Sequence, residues 1–314
     1  MDTRDNILNS AIELLACPNC GGSFILLKNE ISCVKCEHKA ALIDGIIFQF
    51  QKASLPEDIL EKTMYGPEYE ELKNEINEYS DPNLLKKFNL IKKEDCICLD
   101  YGCGSSRQVF DLVKNFKAKI VFGLDYDLEP LRISAKITKE LKLSNIFFIQ
   151  FSSDNIPFKN NVFDIITSHQ ALEHVNNPEN VIENISAKMK EGASIEIDFP
   201  NGGSLGEYMR EKFHKLTKKK NPHISKINLL RARKTFQKNN LSEIVFVPTQ
   251  VILGPMIYIF EGFILRFIFK KYKNWSIRKS YDNFLFNIIR KIEKVIMKTF
   301  PKSAHDFRFV LTKK

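Results

Sequence analysis

Two groups of residues have types and spacings that could do chemistry. The first is Cys17-Pro18-Asn19-Cys20 and Cys33-Val34-Lys35-Cys36, two pairs of the same spacing with twelve residues between them. Thiolates bind a metal tetrahedrally at about 2.3 Å, and four of them close a structural site with no open position. The spacing predicts a zinc ribbon whose metal ligands are Cys17, Cys20, Cys33 and Cys36, with iron as the other ion such ligands accept. Gly21 and Gly22 permit the tight turn after Cys20, and His38 is a spare ligand that four thiolates do not need. No metal catalysis is expected there. The second group begins at Cys98-Leu99-Asp100-Tyr101-Gly102-Cys103-Gly104-Ser105-Ser106. An apolar run ends in an acid, and a Gly-x-Gly turn follows. The dinucleotide fingerprint would need a third glycine at position 107, which is Arg107. An acid before the first glycine suits a cationic ligand better than a pyrophosphate.

The elements that must carry these residues can be read from hydropathy. FILLK (24–28), EISC (30–33) and AALIDGIIFQF (40–50) read as strands of one small unit, residues 1–50. Residues 51–95 read as a charged helical linker or lid carrying Tyr65, Tyr69 and Tyr79. From 96 onward, apolar runs at 96–102, 119–127, 146–151, 162–170 and 193–200 alternate with helical patterns at 105–116, 128–143 and 178–190. Such alternation predicts an α/β domain, residues 96–314, with a mostly parallel sheet covered by helices on both faces. Residues 241–248 and 306–314 are two further strands, giving a Rossmann-like seven-stranded sheet. Between them lies a helical insertion, 251–303. Cys96, Cys98 and Cys103 read as core-filling residues.

On these motifs the chain resembles the type 11 branch of class I S-adenosylmethionine (SAM) dependent methyltransferases. The residues that carry the resemblance are LDYGCG (99–104), Asp125 in GLDYD, Asp154 in FSSDNIPF, the run Phe163 to Ile166, Ala171-Leu172-Glu173-His174-Val175, Lys190-Glu191-Gly192 closing a helix, and Pro200-Asn201. They run in the family's order over about 96–201. Ser106 stands where the family often has glycine, and a serine suits a helix N-cap.

The resemblance implies SAM as cofactor. Asp125 would take the ribose hydroxyls, with Tyr126 beside it. Asp154 and Asn155 would take the adenine, with Ile156 or Phe158 against the ring. Asp100, Gly102, Gly104 and Gln170 would face the methionine end. The acceptor side would begin at Glu173 and His174, with His169 and Gln170 just before. Methyl transfer is an in-line displacement, and positioning supplies much of its acceleration. A general base is needed only for a weak nucleophile such as a hydroxyl, and His174 is the first candidate, alongside Glu173 and His169. A structural role for His174 fits equally. His223, before the sixth strand, is a further position of interest.

Charge separates the remaining readings. The net charge is +9, yet residues 210–238 hold eleven Lys/Arg against one acid and 266–302 hold eleven against two. The rest of the chain is therefore acidic. Residues 256–269 are apolar except for Glu261 and Arg266, and 277–300 have amphipathic spacing with a basic face. That pattern fits a helix at an anionic membrane surface, and equally a packed subdomain. A clean membrane span is not expected, and the N-terminus does not read as a signal peptide, so a cytoplasmic location is expected, peripheral on the inner membrane face in the first case. The leading function is methyl transfer to a small molecule or a glycan- or lipid-linked precursor, at a hydroxyl or similar nucleophile. The alternative is a ribosomal RNA guanine methyltransferase using the ribbon and basic segments to hold RNA. A third reading treats the ribbon as a partner-binding module resembling zinc-ribbon methyltransferase activators. Oligomeric state and acceptor identity are not written in the chain.

Overall fold

A computed structural model describes residues 3–50, 95–151, 156–218, 221, 223–249 and 304–314. The expected lid up to residue 94 lies outside the described residues, as do the insertion 251–303, Asp154 and Asn155.

Among the described residues the frame is one sheet of eleven strands, not seven. Its centre is β5 (Ile97–Tyr101), β6 (Ile120–Asp125), β7 (Ile146–Gln150), β8 (Phe163–His169) and β9 (Met189–Pro200). These five are parallel in the order β7-β6-β5-β8-β9. The chain moves outward from β5 to β7, then returns to β8 on the other side. The point of reversal, between β5 and β8, is where an open α/β sheet leaves a crevice beyond its strand ends. β11 (Asp306–Lys313) pairs antiparallel with both β9 and β10 (Leu241–Thr249), so β10 runs parallel to β9. The sheet thus departs from the mostly parallel seven-stranded one the sequence predicts: it holds four more strands, and half of its pairings are antiparallel.

The other four strands belong to the cysteine-bearing segment. They are β1 (Phe24–Leu27), β2 (Glu30–Cys33), β3 (Lys39–Ile43) and β4 (Ile47–Gln49), joined antiparallel in sequence order. β4 then pairs parallel with β7, matching Phe48 to Ile149. The hydrophobic pattern shows the strands, but which sheet edge they join depends on backbone groups that every residue carries.

Helices cover both faces. α1 (Thr3–Glu13) precedes the ribbon, and α2 (Arg107–Phe116), α3 (Leu128–Glu140) and α4 (Pro178–Lys188) follow β5, β6 and β8. α5 (Leu205–Thr217) and α6 (Leu229–Lys238) fill the basic segment after β9. Side-chain caps fix four starts: Asp127, Asn177, Ser204 and Asn228 each accept from a backbone N–H of the first turn. α4 stops at Lys188, earlier than the expected 190. Residues 190–192 instead lie in β9, where Lys190 meets Asp164 at 2.7 Å.

The strand period of two divides the core. Leu99, Tyr101, Ile120, Phe122 and Leu124 face one cluster, with Phe158 and Phe163. Cys98, Val121, Phe148 and Ile165 face the other, with Val109, Phe110 and Leu131 from the helices. Cys96 and Cys103 are buried with them, as expected of core-filling residues. The Phe158 ring lies 4.9 Å from Phe122 and 4.8 Å from Phe163, so it serves the core instead of waiting for a ligand ring. Ile156 is buried in the same cluster. No helix among the described residues is long and apolar enough to cross a membrane.

Candidate functional site

The four cysteines of the ribbon converge. Cys17 Sγ lies 3.6 Å from Cys36 Sγ, and Cys20 Sγ lies 3.5 Å from Cys33 Sγ and 3.4 Å from Cys36 Sγ. Four thiolates around one ion at about 2.3 Å would sit about 3.8 Å apart, so the donor set fits a tetrahedral metal with little adjustment. All four are free cysteines, not disulfides. Gly21 has φ +70°, which supplies the left-handed turn after Cys20. The Lys35 N–H donates to Cys33 Sγ at 3.4 Å. His38 stands aside, its ring stacked on Phe50 at 6.0 Å and its Nδ1 3.3 Å from Asn19 Nδ2.

The second site is built on the carboxyl ends of β5 and β6. β5 ends in Asp100 and Tyr101, and the chain turns sharply at Gly102, φ +70°. A Cβ on Gly102 would lie 2.4 Å from Ala171 Cβ, so only glycine lets the turn pass the β8 end. At Gly104 an added Cβ would meet nothing within 4 Å, leaving open space beside the backbone. Asp125 closes the turn: its Oδ2 accepts from the Gly104 N–H at 2.8 Å and its Oδ1 from the Asp127 N–H at 3.0 Å. Burial holds the Asp125 carboxyl above its ordinary range. Asp100 is buried more deeply. Thr167 donates to its Oδ1 at 2.8 Å, while its Oδ2 has no hydrogen-bond partner. Burial pushes its carboxyl up to about 6. Ser106 does occupy the N-cap of α2, but with φ +62° and no capping bond; its hydroxyl turns back to Cys103 Sγ and the Gly104 carbonyl. Tyr126 is exposed, and its carbonyl accepts from Gln150 Nε2 at 2.9 Å.

The end of β8 gathers the remaining candidates. His169 Nδ1 is 3.1 Å from Gln108 Nε2, and its Nε2 is 3.5 Å from Glu196 Oε1. Burial alone would lower the imidazole, but the Glu196 contact and the charge of Asp198 outweigh it, and the net shift is upward. Gln170, at φ +50°, binds Asp198 Oδ1 through both its N–H and its Nε2. Asp198 in turn receives Arg308 Nη2 at 2.7 Å. His169 and Gln170 are thus held by two buried acids, Glu196 and Asp198. Glu196, Asp198 and Arg308 are site residues that sequence reasoning missed. Their signal was present: Ser194, Glu196 and Asp198 alternate with apolar residues over 193–199 of β9, which puts a polar row on one face.

Glu173 and His174 lie in a short 3₁₀ turn, Leu172–His174, and meet a segment from after α5. The Ile224 and Ser225 N–H groups donate to the Glu173 carbonyl at 2.9 and 3.1 Å, and Ser225 Oγ donates to the Leu172 carbonyl at 2.7 Å. This clamp brings the His223 ring to 5.4 Å from the His174 ring, edge to face. His174 Nε2 is 3.9 Å from Glu173 Oε1. The Glu173 side chain is only 4% exposed, and burial together with the acids Asp198, Asp306 and Glu207 pushes its carboxyl up to about 8. His223 Nδ1 faces Glu207 Oε2 at 3.2 Å and its Nε2 faces Arg210 Nη1 at 2.8 Å.

Comparison with known proteins identifies the family. A family described as a methyltransferase domain matches residues 92–249. A demethylmenaquinone methyltransferase of Geobacillus sp. is 28% identical over 112 residues, 35% of this chain and 47% of that protein. A ubiquinone/menaquinone biosynthesis C-methyltransferase of Blochmanniella pennsylvanica is 28% identical over 183 residues, 55% of this chain and 70% of that protein. The chain spans about half the length of the first curated relatives it matches. Among solved structures, the SAM complex of phosphoethanolamine N-methyltransferase 2 from Haemonchus contortus superposes with a TM-score of 0.53 at 17% identity. It covers 82% of this chain and 59% of that one, and shares the fold. The chain belongs to the methyltransferase domain family, and residues 92–249 are its SAM-dependent methyltransferase domain.

Proposed function

We propose that the whole protein transfers a methyl group from SAM to a small-molecule or glycan- or lipid-linked acceptor, at a hydroxyl or similar nucleophile. The observation that carries this reading is the buried, unpartnered Oδ2 of Asp100 beside the open backbone at Gly104. An orphaned carboxylate oxygen in a low-dielectric site favours a cationic ligand, and SAM bears an ammonium and a sulfonium. The residues present fit that cofactor: Asp100 and the Gly102–Gly104 turn would hold its amino-acid end, and Asp125, beside Tyr126, its ribose. Asp154 and Asn155 are proposed for the adenine from the sequence alone. When bound, SAM supplies an electrophilic methyl carbon on sulfur. The chain's own part is to align the acceptor in line with that carbon and to handle its proton. Glu173 and His174 stand on the loop after β8 for this task. His169 is proposed as a positioning residue, since Gln108 and Glu196 already engage its ring.

A structural zinc is proposed for Cys17, Cys20, Cys33 and Cys36, on the convergence of the four sulfurs. Contact with an anionic membrane is proposed for 251–303 from its sequence pattern. Isothermal titration tests the main reading. SAM and S-adenosylhomocysteine are expected to bind with micromolar affinity, and no heat with either would remove it. Flotation with anionic liposomes tests the membrane contact; protein left at the bottom of the gradient counts against it.

A further inference from the structure

Glu173, His174 and His223 each offer one ligand atom, and the three atoms lie within 4.8 Å of one another. Two come from the turn after β8 and one from the segment before α6, some fifty positions later. The clamp of Ile224 and Ser225 on the Glu173 carbonyl holds the two pieces in register. A second observation points to a ligand. Glu173 Oε2 is buried and has no hydrogen-bond partner, on a side chain 4% exposed. A buried carboxyl oxygen without a partner leaves a polar vacancy that a cation would fill. At the other end of the cluster a cation is already present: Arg210 Nη1 lies on His223 Nε2. The Arg210 side chain is 35% exposed and has a second hold on Glu207 Oε1 at 3.2 Å, so it can leave His223 without losing its ion pair.

We propose that Glu173, His174 and His223 form a site for a divalent first-row metal ion at the acceptor end, with Arg210 occupying His223 until the ion binds. Two imidazoles and one carboxylate are a donor set that such ions accept, and three protein ligands leave positions open. The open positions suit an acceptor hydroxyl, which deepens the reading above and rests on it. A hydroxyl oxygen on the ion releases its proton to solvent at lower pH than a free one. That oxygen then forms the new bond to the methyl carbon as the carbon–sulfur bond breaks, and the sulfonium leaves as the neutral thioether S-adenosylhomocysteine. On this assignment His174 is a ligand and no imidazole base is required. The site differs from the ribbon in kind: it has no sulfur and it is not closed.

The test is a cobalt(II) titration of the full chain with its ribbon already zinc-loaded. Cobalt on nitrogen and oxygen gives visible d–d bands without the sulfur charge-transfer band that thiolates add, so the two sites are read apart. One equivalent with the nitrogen–oxygen signature is expected. Glu173→Gln and His223→Asn should each weaken it by at least about tenfold. Arg210→Gln should tighten it, because the competitor for Nε2 is gone. No such signature in the parent protein, an unchanged signature in both ligand variants, or weaker binding in Arg210→Gln would overturn the proposal. SAM titrated into the same samples reports folding and the cofactor site independently, so its loss would strike the methyltransferase reading and its retention leaves the metal result to be judged alone.

Discussion

Among the described residues, the two clusters of side chains that could hold a metal ion are built in opposite ways. Cys17, Cys20, Cys33 and Cys36 lie within twenty positions, on two turns of the ribbon at one edge of the sheet. Glu173, His174 and His223 are brought together across the chain, at the carboxyl end of the central strands. The ribbon strands are short, and β1 exposes Ile25, Leu26 and Leu27, so little apolar burial holds the outer part. Small units of this kind depend on their metal. The second cluster rests on a sheet that is folded without it. The difference teaches that a ligand cluster can depend on an ion for its geometry at one site and on the packed sheet at another, according to what else holds the side chains in place.

The sharpest way to break this comparison is to remove each metal site in turn. Cys33→Ser should release one equivalent of zinc, measured by elemental analysis. A structural zinc is worth about 10 kcal/mol of local folding free energy, so β1 to β3 should lose hydrogen-exchange protection. β4 should keep much of its own, because it pairs with β7 and carries the fully buried Phe48. Glu173→Gln should leave the whole exchange pattern unchanged. Loss of β4 and β7 together in the cysteine variant would mean that the ribbon supports the central sheet, and the contrast would fail.

A smaller effect is expected at the glycine turn. Gly102→Ala places a Cβ 2.4 Å from Ala171 Cβ at a left-handed φ, which should cost about 3 kcal/mol in thermal or denaturant unfolding. Smaller again is Asp125→Ala, expected to weaken SAM at least tenfold, about 1.4 kcal/mol, in isothermal titration. Part of that loss would come from freeing the Gly104 N–H that Asp125 holds.

The smallest effect concerns pH. The Asp100 carboxyl, pushed by burial to about 6, neighbours Thr167, His169, Asp125 and Glu196. Its folded value lies above the unfolded one, so the ligand-free protein keeps a proton that the unfolded chain releases. This group therefore lowers ligand-free stability as pH rises from about 4 to about 6, and adds no further change above that. A bound cation favours the ionised form. The rise in melting temperature produced by SAM should accordingly be larger above pH 6 than below it. A SAM-induced shift that does not vary with pH would separate Asp100 from the cofactor.

Legibility in the sequence followed the range of the interactions. The strands from β5 to β9 were readable because an apolar run bounded by a glycine turn is a local signal. Asp100 and Asp125 were readable because each ends such a run. Ser106 was placed at the right boundary with the wrong conformation: Cys103 and Gly104 draw its hydroxyl backward, a competition that residue type does not reveal. The 190–192 stretch reads as the end of a helix, yet β8 pairs with Met189 before it and Ser194 after it, and the Lys190–Asp164 contact holds it along the strand as an irregularity. Phe158 had the position of a ligand-facing residue and was taken by the core between Phe122 and Phe163.

The sequence by itself determined the two cysteine pairs, the acid-ended strands, the glycine turn and the alternation of strand and helix. Each is set by residues close together in the chain, where side-chain type and period act directly. Tertiary structure alone decided that the ribbon extends the sheet through β4, that Asp198 and Arg308 hold Gln170, and that His223 and Arg210 reach the turn at Glu173. Those outcomes rest on hydrogen bonds of the backbone and on charges paired across long loops, which close only when the whole core has packed.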